Sequence, residues 1–144
     1  MQVSEGELGW NAKIIENFRE HGGRVTMPPF QDSHLLLLTT IGATSGKPTT
    51  VPLGYTRDGD AYVVVGSNSG GPLQPVWLGN VLAQPLVSIE VGPETFQARA
   101  TVTEGALRRR LLDAHQAAIP IFTKYEQMTE RQLPVITLER VTPA

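Results

Sequence analysis

The chain has 144 residues, of which 40% are hydrophobic and 18% charged, and its formal net charge at pH 7 is -2. This composition excludes a disordered chain, and the negative net charge argues against nucleic acid as the main partner. The sequence also lacks the run of ~18 apolar residues that a membrane helix needs. Because there is no cysteine, disulfides, iron–sulfur clusters and thiol nucleophiles are also excluded.

The N-terminal segment predicts one helix and a connecting arm. Ser4 and Glu7 have the spacing of a capping box, and apolar residues at near-helical spacing continue to Gly22-Gly23, where a left-handed helix end is expected. We therefore predict a helix from about Glu5 to Glu20. Two prolines between residues 24 and 31 prevent a longer helix, because proline lacks a backbone donor and restricts φ.

Short β-type runs follow, and we predict six strands, at 34–40, 51–57, 61–67, 86–91, 95–103 and 135–141. Apolar and polar residues alternate in 95–103, as in a strand with one buried face. The pair Asp58-Gly59 favours a type I′ hairpin, and Gly92-Pro93 separates the next pair of strands.

Helical pieces are predicted at 75–83, with Pro75 as the first helical residue, at 104–118 and at 121–128. In the second piece we expect an apolar face made of Leu107, Leu111, Leu112 and Ala114. Six mostly antiparallel strands with late helices favour a small closed or nearly closed barrel. We expect a single cytoplasmic domain over 1–144, with 1–33 as the helix and arm and 34–144 as the barrel.

The loop between the first two strands is unusually rich in donors. It contains the hydroxyls of Thr44 and Ser45 and the cation of Lys47, and its glycines expose backbone N–H groups, so the loop suits a phosphate or carboxylate. The alternative is an ordinary hairpin loop with solubilising side chains. It is not a Walker loop, because Pro48 follows Lys47 and no helix begins there.

A second glycine-rich segment, 66–77, runs from a strand end into a helix start. Such a loop directs free N–H groups and the positive end of a helix dipole at a ligand, and its glycines let a flat ring approach the backbone. The alternative is a helix-capping loop, with Trp77 in the core and Asn80 at the surface.

Other chemistries find little support. His21, His34 and His115 are scattered without carboxylates at ligand spacing, so we predict no metal site. There is no G-x-S-x-G elbow for a serine hydrolase. The run Arg108-Arg109-Arg110 spans a wide arc of a helix and is interpreted as a solvated face.

With these loops in order, the sequence resembles the deazaflavin-dependent nitroreductase family of split-barrel oxidoreductases, which bind coenzyme F-420, an 8-hydroxy-5-deazaflavin. The resemblance covers about residues 35–139. Its residues include Leu-Leu-Thr-Thr-Ile-Gly-x-x-Ser-Gly-Lys-Pro at 37–48, Val-Pro-Leu at 51–53, Val-Val-Gly-Ser at 64–67, Gly70-Gly71, Pro-Val-Trp-x-x-Asn at 75–80 and the segment 125–135.

The resemblance implies a six-stranded antiparallel split barrel of the FMN-binding type, mainly β with inserted helices (α+β). It also implies a reductase that passes a hydride from reduced coenzyme F-420 to a quinone, enone or nitroaromatic. The coenzyme-binding residues it implies are Ser45, Gly46, Lys47, Thr49, Pro52, Ser67, Asn68, Gly70, Gly71, Trp77 and Asn80. A hydroxyl of Ser67 or Tyr125 is the predicted proton donor.

Departures from the family pattern leave two alternatives. Basic residues common in the family are replaced by Ala43, Thr44 and Thr49, so Lys47, Ser45 and backbone amides must bind more of the anion. One alternative is an FMN-dependent reductase, and the other is a non-catalytic barrel that carries a fatty acid or haem. The expected partner is a small-molecule substrate, without metal or nucleic acid. We expect a monomer or a homodimer, and no feature supports peripheral membrane contact.

Overall fold

The computed structural model describes the backbone of residues 5–28 and 33–141, and their side chains from residue 11 onward. Helix α1 spans Glu5–Glu20, as predicted. It ends at Gly22 and Gly23, with φ of 62° and 91°, and the Gly23 N–H donates to the Phe18 carbonyl at 2.8 Å. This is the hydrogen bond of a Schellman end. Ser4 of the expected capping box lies outside the described residues.

One antiparallel sheet contains seven strands rather than six. They are β1 Leu35–Ile41, β2 Pro48–Gly54, β3 Thr56–Asp58, β4 Ala61–Val65, β5 Leu86–Val91, β6 Glu94–Val102 and β7 Val135–Arg140. The order across the sheet is β2-β1-β5-β6-β7-β4-β3. The run at 51–57 was wrongly predicted as one strand, because its first part pairs with β1 and its last part with β4.

The sheet curls into a partly closed barrel. Strands β2 and β3 are the two edges of the sheet, yet only Tyr55 separates them in the chain. Consecutive Cα atoms are about 3.8 Å apart, so the two edges must meet at this corner. The Tyr55 N–H donates to the His34 carbonyl at 3.1 Å and holds the corner against the start of β1. The predicted barrel and the α+β class are therefore confirmed, whereas the predicted number of strands is not.

Alternating side chains fill the barrel interior. On β6, Ala98 and Ala100 are buried while Arg99 and Thr101 are exposed, which agrees with the predicted period of two. Helix α2, Val76–Ala83, adds further apolar side chains to the same interior, namely Trp77, Leu78 and Val81. Pro75 caps α2 in an extended conformation, and so precedes the helix rather than starting it.

Helices α3, Gly105–Ala118, and α4, Ile121–Met128, lie outside the barrel. Of the predicted apolar face, Leu111 and Leu112 are buried and pack on the outer side chains of β4 and β7, but the prediction is wrong for Leu107 and Ala114, which are exposed. Arg108 and His115 are buried instead. No helix in the described part of the chain is both long and apolar enough to cross a membrane.

The arginine run of α3 is only partly a solvated face. Arg109 and Arg110 are exposed and form ion pairs, Arg109 with Glu126 at 2.9 Å and Arg110 with Asp58 at 3.2 Å. The prediction is wrong for Arg108, which is 8% exposed and donates from Nε to the Leu133 carbonyl at 2.9 Å.

The first predicted hairpin has a different turn. Asp58 pairs with Ala61, so the two loop residues are Gly59 and Asp60. Gly59 has φ of 59°, whereas the only described non-glycine residues with positive φ lie elsewhere, at 68 and 69. A type I′ turn needs positive φ at both loop residues, so that prediction is wrong, and glycine at the first position is typical of type II′.

Candidate functional site

The first donor-rich loop, 42–47, is a tight turn that uses many of its own donors. The Gly42 N–H donates to the Lys47 carbonyl at 2.8 Å, and the Gly46 N–H donates to the Gly42 carbonyl at 2.9 Å. The Lys47 N–H donates to the Ser45 hydroxyl oxygen at 3.2 Å. Gly46 has φ of 71°, a conformation that glycine adopts without strain. Fewer amides are therefore available to a ligand than the glycine content predicts.

Asn80 attaches this loop to helix α2. Its side chain is 5% exposed, accepts from the Ala43 N–H at 3.0 Å and donates to the Thr40 hydroxyl at 3.0 Å. Asn80 was predicted to contact the coenzyme or lie at the surface. The structure buries its amide between β1, the loop and α2, so Asn80 holds the loop in place. The surface position is therefore wrong, and contact with the coenzyme stays a prediction.

The remaining groups of the loop are polar and exposed. Thr44, Ser45 and Lys47 all lie in solvent, and Lys47 is the only cationic residue between 34 and 56. Thr49 pairs with Thr40 beside this loop, whereas Pro52 pairs with Leu37, whose side chain packs under α1. The loop, Lys47 and Thr49 therefore lie together, and Pro52 does not join them.

The second loop contains strained backbone. Asn68 and Ser69 have φ of 47° and 54° in a single 3-10 turn, Asn68–Gly70. The turn is closed by the Gly70 N–H to the Ser67 carbonyl at 2.9 Å and by the Gly71 N–H to the Asn68 carbonyl at 3.0 Å. Left-handed conformations of non-glycine residues are concentrated at functional sites, where the surrounding structure maintains them.

Arg131 is the residue that maintains this loop, and sequence reasoning missed it. Its guanidinium donates to the carbonyls of Gly66, Ser67 and Gly71 at 3.1, 2.7 and 3.0 Å, and to Gln74 Oε1 at 2.7 Å. Burial lowers the Arg131 pKa from its usual value. The partners lie 57 to 65 residues away in the chain, so no local pattern indicates them.

Close packing explains two glycines of the second loop. A Cβ on Gly66 would lie 2.7 Å from Pro134 Cγ and 3.3 Å from Pro75 Cγ. A Cβ on Gly70 would lie 3.0 Å from the Cβ of Met128, at the end of α4. These glycines admit neighbouring protein atoms, so their presence alone does not indicate a ligand ring.

Three other predicted site residues differ in their surroundings. Ser67 is 7% exposed, and its side chain makes no capping hydrogen bond to the turn that follows it. Trp77 is 7% exposed and belongs to the barrel interior. Tyr125 is half-buried on α4, edge-on to Phe122 at 5.5 Å between ring centroids. Met128 lies one turn further along α4, so Tyr125 lies on the helix face that contacts the second loop.

Helix α2 brings the two loops together. Pro75, at its start, follows the second loop, and Asn80, just over one turn later, holds the first loop. A rise of about 1.5 Å per residue places these attachment points about 8 Å apart. A groove of about 870 Å³ lies elsewhere, between Arg57, Thr103 and Arg140, and does not include either loop. The candidate site therefore consists of the two loops beside α2.

This fold and these loops define a split-barrel oxidoreductase, and comparison with known proteins identifies the family. The model of the F420H(2)-dependent quinone reductase family matches residues 10–140. An F420H(2)-dependent quinone reductase of Mycobacterium tuberculosis is 38% identical over 110 residues, which cover 73% of this chain and 72% of that protein. The chain therefore belongs to the F420H(2)-dependent quinone reductase family.

Solved structures agree with this assignment. An F420-H2-dependent reductase, FDR-A, is 34% identical with a TM-score of 0.68, over 74% of this chain and 94% of that one. A chain described as a domain-swapped dimer is 31% identical with a TM-score of 0.70, over 92% and 98%. The predicted resemblance, the reductase class and coenzyme F-420 as the cofactor of the family are confirmed.

Proposed function

We propose that this protein transfers a hydride from reduced coenzyme F-420 to a quinone, using the two loops held by α2. The observation that carries the proposal is the attachment of both loops to one helix, through Asn80 and through Pro75, in a chain of this family. When bound, the coenzyme supplies the hydride and so two electrons, and the quinone gains that hydride and one proton to become a hydroquinone. Family membership supports this function over an FMN-dependent reductase and over a carrier of fatty acid or haem.

The first loop would hold the anionic part of the coenzyme. Lys47 supplies the cation, and the hydroxyls of Thr44, Ser45 and Thr49 supply neutral donors next to it. Charge-assisted hydrogen bonds are about twice as strong as neutral ones. Because residues 43, 44 and 49 carry no charge, most of the electrostatic attraction in this loop depends on Lys47.

The second loop would hold the deazaflavin ring and orient it. Ser67 carries a hydroxyl next to the strained turn at Asn68 and Ser69. Such a hydroxyl is suited to relay the proton that follows hydride transfer, and Tyr125 on the adjacent helix is the second hydroxyl in reach of this surface. The rigid loop limits the orientations of the ring and so favours a productive geometry.

The surroundings of the second loop favour an apolar acceptor. Leu73 is 53% exposed, Val76 52% and Met128 57%. Exposed large apolar side chains that lie together are typical of a binding surface for an apolar molecule. This arrangement suits a quinone ring with an aliphatic tail, and it also admits enones and nitroaromatics.

The wild-type protein provides the direct test. We expect it to quench the fluorescence of oxidised coenzyme F-420 in a titration, and to oxidise the reduced coenzyme when a naphthoquinone is added. FMN added as a competitor should displace little coenzyme. Absence of coenzyme binding at tens of micromolar, or displacement by equal FMN, would contradict the proposal.

Lys47→Ala tests the assignment of the first loop. Removing a charged donor costs about 1.5 to 3 kcal/mol, so the coenzyme Kd should rise about tenfold to a hundredfold. Lys13→Ala is the matched control, because Lys13 is also an exposed lysine but lies on α1. Equal Kd values for the Lys47 and Lys13 variants would show that the anionic part of the coenzyme binds elsewhere.

A further inference from the structure

Arg131 has an unusual set of partners for a cation. It donates to three backbone carbonyls of one loop, those of Gly66, Ser67 and Gly71, and to the amide oxygen of Gln74. All four acceptors are neutral, and no carboxylate of the described residues forms an ion pair with Arg131. The guanidinium therefore keeps its charge beside the loop without a neutralising partner.

These hydrogen bonds determine which way the peptide groups of the loop face. A trans peptide directs its N–H opposite to its C=O. Because the carbonyls of Gly66 and Ser67 point at Arg131, the N–H groups of Ser67 and Asn68 point away from it. The Ser67 N–H is therefore presented on the side of the loop opposite to Arg131, where it is suited to donate to an electron-rich atom.

The charge of Arg131 also strengthens this donor. Hydrogen bonds in a chain polarise one another, so a cation bonded to a carbonyl makes the N–H of the same peptide a better donor. Arginine suits this position because its planar fork reaches several acceptors at once, whereas lysine presents a single point charge. Arg131 thus combines a geometric and an electrostatic effect on one loop.

We infer that Arg131 is a positioning residue for the coenzyme: it turns the Ser67 N–H toward the ring and polarises it as a donor to a carbonyl oxygen or ring nitrogen. The inference rests on the proposed function, because it presumes that the second loop holds the ring. Arg131 itself acts through the loop rather than by touching the substrate.

Arg131→Lys tests this inference, with Arg108→Lys as its matched control. Arg108 is an arginine that also donates to a backbone carbonyl, that of Leu133, but it is more deeply buried and does not contact the loop. In Arg131→Lys we expect the coenzyme Kd to rise about tenfold, the equivalent of one hydrogen bond, with the quinone KM unchanged. Arg108→Lys should lower the melting temperature but leave the coenzyme Kd at the wild-type value.

A second readout does not need the coenzyme. Amide hydrogen exchange of residues 66–71 should be about tenfold faster in Arg131→Lys than in Arg108→Lys, because the loop opens more often. Gln74→Leu removes one exposed acceptor of Arg131 without disturbing the core, so it provides a variant that folds. We expect it to weaken coenzyme binding by about threefold, since one of four bonds is lost.

The outcomes separate the two proposals. If the wild type does not bind the coenzyme, the proposed function fails and this inference fails with it. If the wild type binds but both Arg131→Lys and Gln74→Leu bind equally well, the role of Arg131 is wrong and the proposed function stands. Faster exchange at 66–71 with unchanged coenzyme Kd would also overturn the inference, since Arg131 would then be purely structural.

Discussion

His115, on α3, is fully buried with only one of its ring nitrogens paired. Its Nδ1 lies 2.8 Å from the Thr56 hydroxyl, and its ring meets Phe122 edge-on at 4.4 Å between centroids. Nε2 is the one buried side-chain polar atom of the described residues that has no hydrogen-bond partner. Burial disfavours the charged imidazolium and lowers the His115 pKa to about 4.

The stability of the protein should therefore depend on pH through His115. The unfolded histidine has a pKa of about 6.5, so the unfolded chain binds a proton between pH 6.5 and 4 that the folded chain excludes. The contribution of the neutral, buried His115 to the free energy of unfolding is complete above pH 6.5, and it is lost as the pH falls from 6.5 to about 4. We expect the free energy of unfolding to decrease by about 2 kcal/mol between pH 7 and pH 5, measured by urea unfolding.

Variants of two histidines isolate this effect. His115→Gln keeps a polar side chain but cannot titrate, so its free energy of unfolding should change much less across the same pH range. His21→Gln, at an exposed position, should behave like the wild type. A wild-type pH dependence no steeper than that of His115→Gln would show that another group is responsible.

At the scale of elements, Asn80 connects α2 to the turn between β1 and β2. The amide uses both its oxygen and its nitrogen, toward Ala43 and Thr40, and the pair with Thr40 is buried. A buried network of this kind stabilises one arrangement when all its members are paired, and it is costly when one is removed. The position of the first loop relative to α2 therefore depends on a single side chain.

Asn80→Leu should destabilise the protein by about 2 kcal/mol, because Thr40 and Ala43 lose their buried partner. The coenzyme Kd should also rise, since the loop with Lys47 is released. Urea unfolding of Asn80→Leu, Thr40→Val and the double variant measures the coupling. We expect the double variant to lose less free energy of unfolding than the sum of the losses in the two single variants. Strictly additive losses would contradict the network.

At the scale of the whole molecule, α1 is attached to the barrel by a close backbone contact and an ion pair. An added Cβ on Gly23 would overlap the backbone of Gly92 in the β5–β6 turn. Next to it, Arg19 donates two hydrogen bonds to the Glu90 carboxylate, at 3.0 and 2.8 Å. The pair is largely exposed at Arg19 and so contributes little, which leaves packing as the main attachment.

Gly23→Ala compared with Gly22→Ala measures this attachment. Both glycines have positive φ, so both variants carry a similar backbone strain of about 1 kcal/mol. Only Gly23 faces the β5–β6 turn, whereas no atom lies within 4 Å of a Cβ on Gly22. We expect Gly23→Ala to lower the free energy of unfolding by about 1 to 3 kcal/mol more than Gly22→Ala, and equal losses would refute the close contact.

The sequence alone determined the features that depend on neighbouring residues. The bounds of α1 and α4, the alternation in β6 and the two donor-rich loops follow from local periodicity, glycine and proline, which act over a few residues. Motif order along the chain was sufficient for the family and its coenzyme. The roles of Ser67, Lys47 and Tyr125 remain predictions.

Only the tertiary structure decided how distant segments meet. The division of 51–57 into β2 and β3 reflects which strands each half pairs with, and the burial of Arg108 and His115 reflects what packs on α3. Arg131 contacts carbonyls about 60 residues away, and a backbone carbonyl has the same chemistry at every residue. A sequence therefore cannot indicate which carbonyls a cation will reach, whereas the closed barrel places them within hydrogen-bonding distance.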